Sequence, residues 1–91
     1  MADVATSGRI RSSEPEALAL RMAKHFAHKV EVTRQAGVTR IDTRFGRIEL
    51  EPAGAELLVR VDGEDEEKLR ELALSHLERF ARGAPVESMW D

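Results

Sequence analysis

Residues 30–62 read VEVTRQAGVTRIDTRFGRIELEPAGAELLVRVD, and the fold turns on this stretch. Apolar side chains recur at every second position, β-branched types are enriched, and Gly37, Gly46 and Gly54 break the run, the pattern of strands joined by turns. Strands are predicted over residues 30–34, 38–43, 47–51 and 56–62. Gln35-Ala36-Gly37, Arg44-Phe45-Gly46 and Pro52-Ala53-Gly54-Ala55 supply the turns. Links this short permit only antiparallel neighbours, because a parallel pair needs a long crossover.

The alternation also assigns the faces. Val30, Val32, Ile41, Ile48, Leu50, Leu57, Val59 and Val61 point to a core, whereas Arg40, Asp42, Arg47, Glu49 and Arg60 point to water. Asp42 and Glu49 therefore lie where cross-strand pairing with arginines explains them without catalysis. Phe45 and Ile48 have opposite parity, so Gly46 is expected to reverse or bulge the chain.

On either side of the strands the period changes to that of a helix. Ser13-Glu14-Pro15-Glu16 reads as a helix start with a capping box, and a helix is expected over residues 14–28. Leu18, Ala19, Met22, Ala23 and Phe26 form its apolar stripe, with Met22 read as core filling. Before it, residues 3–6 suggest a short edge strand, followed by a loop at 7–12. After the strands, the acidic run Asp62 to Glu67 marks a second helix N-terminus and Arg79 and Arg82 its end, as the helix dipole favours. That helix, over residues 65–82, carries Leu69, Leu72, Ala73, Leu77 and Phe80 on one side, and residues 85–90 suggest a last strand with Val86 and Trp90 on a common face. The expected fold is α+β in two layers, two helices on one face of a small antiparallel sheet, in the order β-α-β-β-β-β-α-β.

Composition bounds the function. With 91 residues, 42% hydrophobic and 34% charged, the chain is expected to form one globular domain over residues 1–91. Its net charge is -3 and its basic residues are interleaved with acidic ones, which argues against a nucleic-acid partner. There is no cysteine, so disulfides, thiolate metal sites and cysteine nucleophiles are excluded. Residues 1–15 hold no apolar run resembling a signal peptide, and no apolar run is long enough to span a membrane; a cytoplasmic protein without a membrane partner is expected.

Chemistry concentrates in the histidines. All three lie in two short helical segments, His25-Phe26-Ala27-His28-Lys29 and His76-Leu77-Glu78-Arg79-Phe80. On an ideal helix His76 falls inside the apolar stripe and is expected to be largely buried, His25 lies at the border of its own stripe, and His28 lies further toward the polar side. His25 and His28, three residues apart, can converge above the helix surface. If the helices pack side by side, His76 joins them as a three-imidazole site for zinc, copper or iron, a set that leaves a coordination position open. The alternative is structural: a core His76 bonded to backbone, and a His28 favoured at a helix C-terminus. A serine–histidine dyad from Ser75 and His76 is disfavoured, since adjacent helical residues point about 100° apart.

The two histidine segments, the Ile41-Asp42 strand, Phe45-Gly46 with Leu50, and the near-terminal Trp90 together resemble the uncharacterised bacterial family catalogued as domain of unknown function 2218. The resemblance implies a short antiparallel sheet backed by two helices and a stand-alone cytoplasmic protein, some members occurring in settings connected with iron and siderophore uptake. Some members carry aldolase labels, but nothing in this chain resembles such a site. The sequence thus points to a small binding protein for a metal ion or an iron-related small molecule through His25, His28 and His76, with no catalytic residue assigned. Its rivals are a protein–protein interaction module or homodimer with purely structural histidines, and an enzyme using His76 as general base.

Overall fold

The computed structural model describes residues 4–81 and 87–90. Eight elements follow one another: β1 (Val4–Arg11), α1 (Pro15–Phe26), β2 (Glu31–Gln35), β3 (Val38–Thr43), β4 (Gly46–Ala53), β5 (Glu56–Gly63), α2 (Glu66–Phe80) and β6 (Glu87–Trp90). The strands form one sheet in the order β2-β3-β4-β5-β1-β6, antiparallel at every junction. This is the α+β order expected from the sequence. β2 to β5 make a meander. At its first turn Ala36 and Gly37 both have positive φ, 54° and 82°, the backbone that lets a two-residue turn follow the twist of its strands.

One sheet face carries the core. Ile41, Ile48, Leu50, Leu57, Val59 and Val61 pack there against Leu18, Ala19, Met22 and Phe26 of α1 and Leu69, Ala73 and Leu77 of α2. The opposite face is charged, and its ion pairs are cross-strand neighbours: Arg40 with Glu49 at 3.1 Å and Arg47 with Asp42 at 3.0 Å. Burial of aliphatic surface on one side alone is what orients both helices to that side.

Four local expectations are corrected. β1 continues through the segment expected to be a loop, because Ser7, Arg9 and Arg11 alternate with buried Gly8 and Ile10; nor is it an edge strand, since β5 and β6 pair with it on either side. Gly8, a poor strand former, disguises the period, and pairing on both sides overrides that weakness. The capping box does not form: Glu14 holds the N-cap position without a side-chain bond, and Ser12 Oγ accepts from the Glu14 N–H at 3.0 Å. Of the two roles expected at Gly46, the chain reversal holds and the bulge does not: Thr43 pairs with Gly46 and Asp42 with Arg47 in unbroken register across the Arg44-Phe45 turn. Gly46 is needed for another reason. At φ 137° its Cα lies against the backbone of Asp62 and Gly63 and under Leu69, with no room for a side chain. The last strand is seen from Glu87, and the expected shared face of Val86 and Trp90 lies outside the described residues.

The fourth correction bears on the histidines. α1 ends at Phe26, not at residue 28, because the Lys29 and Val30 N–H groups both turn back onto the Phe26 carbonyl, each at 2.9 Å, to deliver the chain into β2. α2 begins as its acidic signal suggested, with the Asp65 side chain accepting from the Lys68 N–H at 3.2 Å, and its helical residues end at Phe80. Among the described residues no helix is long and apolar enough to cross a membrane.

Candidate functional site at the helix seam

The position of the site follows from which residues hold α2 to the sheet. Leu69, Ala73 and Leu77, spaced by one turn, are all fully buried and make the line of contact. His76 and Phe80 then stand about 100° round the helix from Leu77 and Ala81, on the flank that faces α1. His76 is therefore buried over most of its surface, as expected, though at the border of the stripe rather than inside it. On α1 the contact line is Leu18, Ala19, Met22, Ala23 and Phe26, which puts Arg21 and His25 on the matching flank.

The two flanks run antiparallel and touch. Arg21 Nη1 donates to the Phe80 carbonyl at 2.9 Å, so a cation of α1 satisfies a C-terminal oxygen of α2. One turn along, the His25 and His76 rings lie with centroids 5.0 Å apart and planes inclined at 49°. Phe26 and Phe80 frame them: Phe26 lies 5.0 Å from His25 and 4.9 Å from His76, and Phe80 lies 5.3 Å and 6.1 Å from them. No local pattern marks Arg21 as a clamp, since the Arg21–Phe80 separation of 59 residues is a purely tertiary fact.

Hydrogen bonding sets the state of His76. Its Nδ1 lies 2.8 Å from the Leu72 carbonyl oxygen, which can only accept, so Nδ1 carries the proton. In the neutral ring Nε2 then presents a lone pair. The Ser75 hydroxyl donates to the same carbonyl at 3.2 Å. His25 is held below its usual range, first by burial and then by His76, Lys29, Arg79 and His28, all cationic or able to become so. A neutral imidazole is the form that can accept a metal or a proton.

His28 is where the sequence reading and the structure part. It sits exposed in the turn after α1, and its ring makes no contact with His25 or His76 among those seen at the seam. Among the described residues no group of three or more His, Cys, Asp or Glu side chains is arranged to hold a metal ion. The structure thus joins two of the three histidines. A cavity of about 660 Å³ lies elsewhere, where the β3–β4 turn meets the start of α2. Its walls are occupied by their own partners: Asp42 pairs with Arg47, and the Phe45 ring has Lys68 Nζ at 5.3 Å and the Arg44 guanidinium at 5.9 Å. The histidine pair is the stronger candidate on chemistry.

The family described as an uncharacterized protein conserved in bacteria, DUF2218, matches residues 7–91. The chain belongs to that family. Its fold is similar to that of PA4090 from Pseudomonas aeruginosa, solved by NMR, with a TM-score of 0.75 over 100% of this chain and 96% of that one. Sequence identity between the two is 24%, so the likeness concerns the fold. Among curated proteins none matches this DUF2218 chain. Both histidine segments fall within the family match.

Proposed function

We propose that this DUF2218 protein is a small binding protein whose site is the His25–His76 pair and whose ligand is a borderline metal ion, zinc, copper or iron, or a small molecule that carries one. The observation that carries the reading is the pair itself, two imidazoles 5.0 Å apart across a helix seam. Two imidazoles that share one tetrahedral ion at bonds of about 2.0–2.1 Å hold their centroids roughly 5 Å apart. The Nδ1–H bond of His76 to the Leu72 carbonyl supports it further. A bond of this kind fixes the tautomer and ring orientation of a ligating histidine.

The rivals have less behind them. An enzyme using His76 as general base needs a nucleophile or substrate acid beside it; Ser75 is bonded to the Leu72 carbonyl, and Glu78 is about 200° round the helix. An interaction module would use an edge strand or the open sheet face, and on that face Arg40 and Glu49, and Arg47 and Asp42, already pair with each other. Calorimetric titration of the metal-free chain with zinc and copper tests the reading. One ion per chain is expected to bind, with the affinity reduced at least tenfold in His25→Ala and in His76→Gln and unchanged in His28→Ala. Equal affinity in all four proteins would overturn it.

A further inference from the structure

The sheet face away from the helices carries its charges in an ordered pattern. On β3, β4 and β5 its positions include Arg40 and Asp42, Arg47 and Glu49, and Arg60 and Asp62, so each strand holds a cation and an anion two residues apart. The strand register lines these up as two rows across the sheet, Asp42, Arg47 and Asp62 in one and Arg40, Glu49 and Arg60 in the next. Signs therefore alternate both along the strands and across them. Two ion pairs form within the sheet, Arg40 with Glu49 and Arg47 with Asp42. Each row is left with one odd charge, and both fall on β5: neither Arg60 nor Asp62 makes an ion pair or a side-chain hydrogen bond among the described residues. Arg60 is exposed, and a cavity of about 400 Å³ lies against it between Ser7, Glu49 and Leu58, which opens Arg60 to a carboxylate from outside.

We propose that this face docks a second copy of the chain, related to the first by a two-fold axis that runs across the strands between the two rows. Under that axis each row lies on the other. Asp42 meets the second copy's Arg40, Arg47 its Glu49 and Asp62 its Arg60, and every contact occurs twice. The two charges left over in one copy are thus the partners of the two left over in the other. The same pattern excludes a two-fold along the strands, which would set Arg40 against Arg60 and Asp42 against Asp62. On the flanking strands Thr33 and Ser7 extend the second row without charge, so nothing opposes Glu31 at the end of the first. Aligned sheets cross at about 30°, so the match is closest over β4 and β5 at the centre of the sheet. Exposed ion pairs contribute little singly, so the dimer is weak and sensitive to salt. Both helices pack on the other face of each sheet, so the dimer leaves the two His25–His76 pairs on its outside and does not depend on how that site is read.

Sedimentation of the full chain tests the pairing. At roughly 10 mM salt, where charges act over about 30 Å, the weight-average mass is expected to rise with concentration above that of one 10.2 kDa chain, and at about 1 M salt, where they act over about 3 Å, to fall back to it. Arg60→Glu sets acid against Asp62 and Asp62→Arg sets base against Arg60, so each variant alone should associate on the order of tenfold more weakly than the parent chain. Mixed in equal amounts, the two variants should associate again, because the acidic face of one meets the basic face of the other. A chain that stays monomeric at low salt, association that strengthens with salt, or a mixture no tighter than its two components would overturn the proposal. Thermal unfolding checks that both variants fold. The unsubstituted chain gives a second reading: on dilution the amide signals that move should lie on β3, β4 and β5, and movement confined to the helices or to β2 would overturn the proposal as well.

Discussion

Thr39 shows at a single residue what the core tolerates. It lies on the buried face of β3 beside Leu50, fully inaccessible, and its hydroxyl oxygen finds no hydrogen-bond partner among the described residues. An unsatisfied buried hydroxyl costs roughly 1–3 kcal/mol. Thr39→Val keeps the shape and removes the cost, so it should raise stability by about 1 kcal/mol in urea unfolding; a loss of stability would show that the hydroxyl is satisfied. At His25 the sign runs the other way with acid. Its folded-state pKa lies below 6.5, so the unfolded chain binds that proton more readily. The resulting stability is present above the ordinary range and is lost as pH falls through the lowered value. His25→Gln should therefore flatten the decline in unfolding midpoint between neutral and mildly acid pH, and an unaltered slope would count against the burial and charge assigned to this ring. Residue identity was legible here from the sequence, environment less so. Periodicity placed His25 at the border of its stripe correctly, but put His76 one step too deep, because it could not tell that Leu69, Ala73 and Leu77 carry the contact and rotate His76 to the flank.

Elements were read well where one force dominated. β3, β4, β5 and both helices follow from alternation, stripe and dipole signals, and their ends shift by a residue or two wherever a tertiary contact decides. α1 stops early because β2 must begin, and β1 was hidden by Gly8, whose pairing partners lie at the far end of the sequence in β5 and β6. By sequence Gly46 is an ordinary turn glycine, whereas in the fold Gly46 and Gly63 lie backbone against backbone with the Leu69 side chain over both. A Cβ on Gly63 would run into the Phe45 carbonyl. Gly63→Ala should accordingly destabilise by on the order of 2 kcal/mol, measured by thermal unfolding, and a neutral effect would contradict the close approach. Along the helix seam, Arg21→Met keeps the stem and removes the bond to the Phe80 carbonyl. It should cost about 1 kcal/mol and loosen the last turn of α2, seen as faster amide exchange there; unchanged exchange would deny Arg21 its capping role.

For the whole molecule, the hydrophobic layer between sheet and helices both stabilises the fold and positions the site. Leu77 is fully buried against the sheet, one residue from His76. Leu77→Ala should cost about 2–5 kcal/mol and disturb the histidine pair with it. The topology that inserts β1 between β5 and β6 was not legible in advance, since local pattern fixes strands and hairpins but not the order in which distant strands join. The same limit applied to the site: three histidines in two helical segments were visible, and only the packing of α1 against α2 selects His25 and His76. The central claim is that these two rings act together, and the imidazole nitrogens report on it directly. In a long-range proton–nitrogen spectrum of the labelled protein, one equivalent of zinc should shift one ring nitrogen of His25 and one of His76 together, in the same titration, while His28 stays in place. Separate titrations of His25 and His76, or a shift confined to His28, would contradict the account.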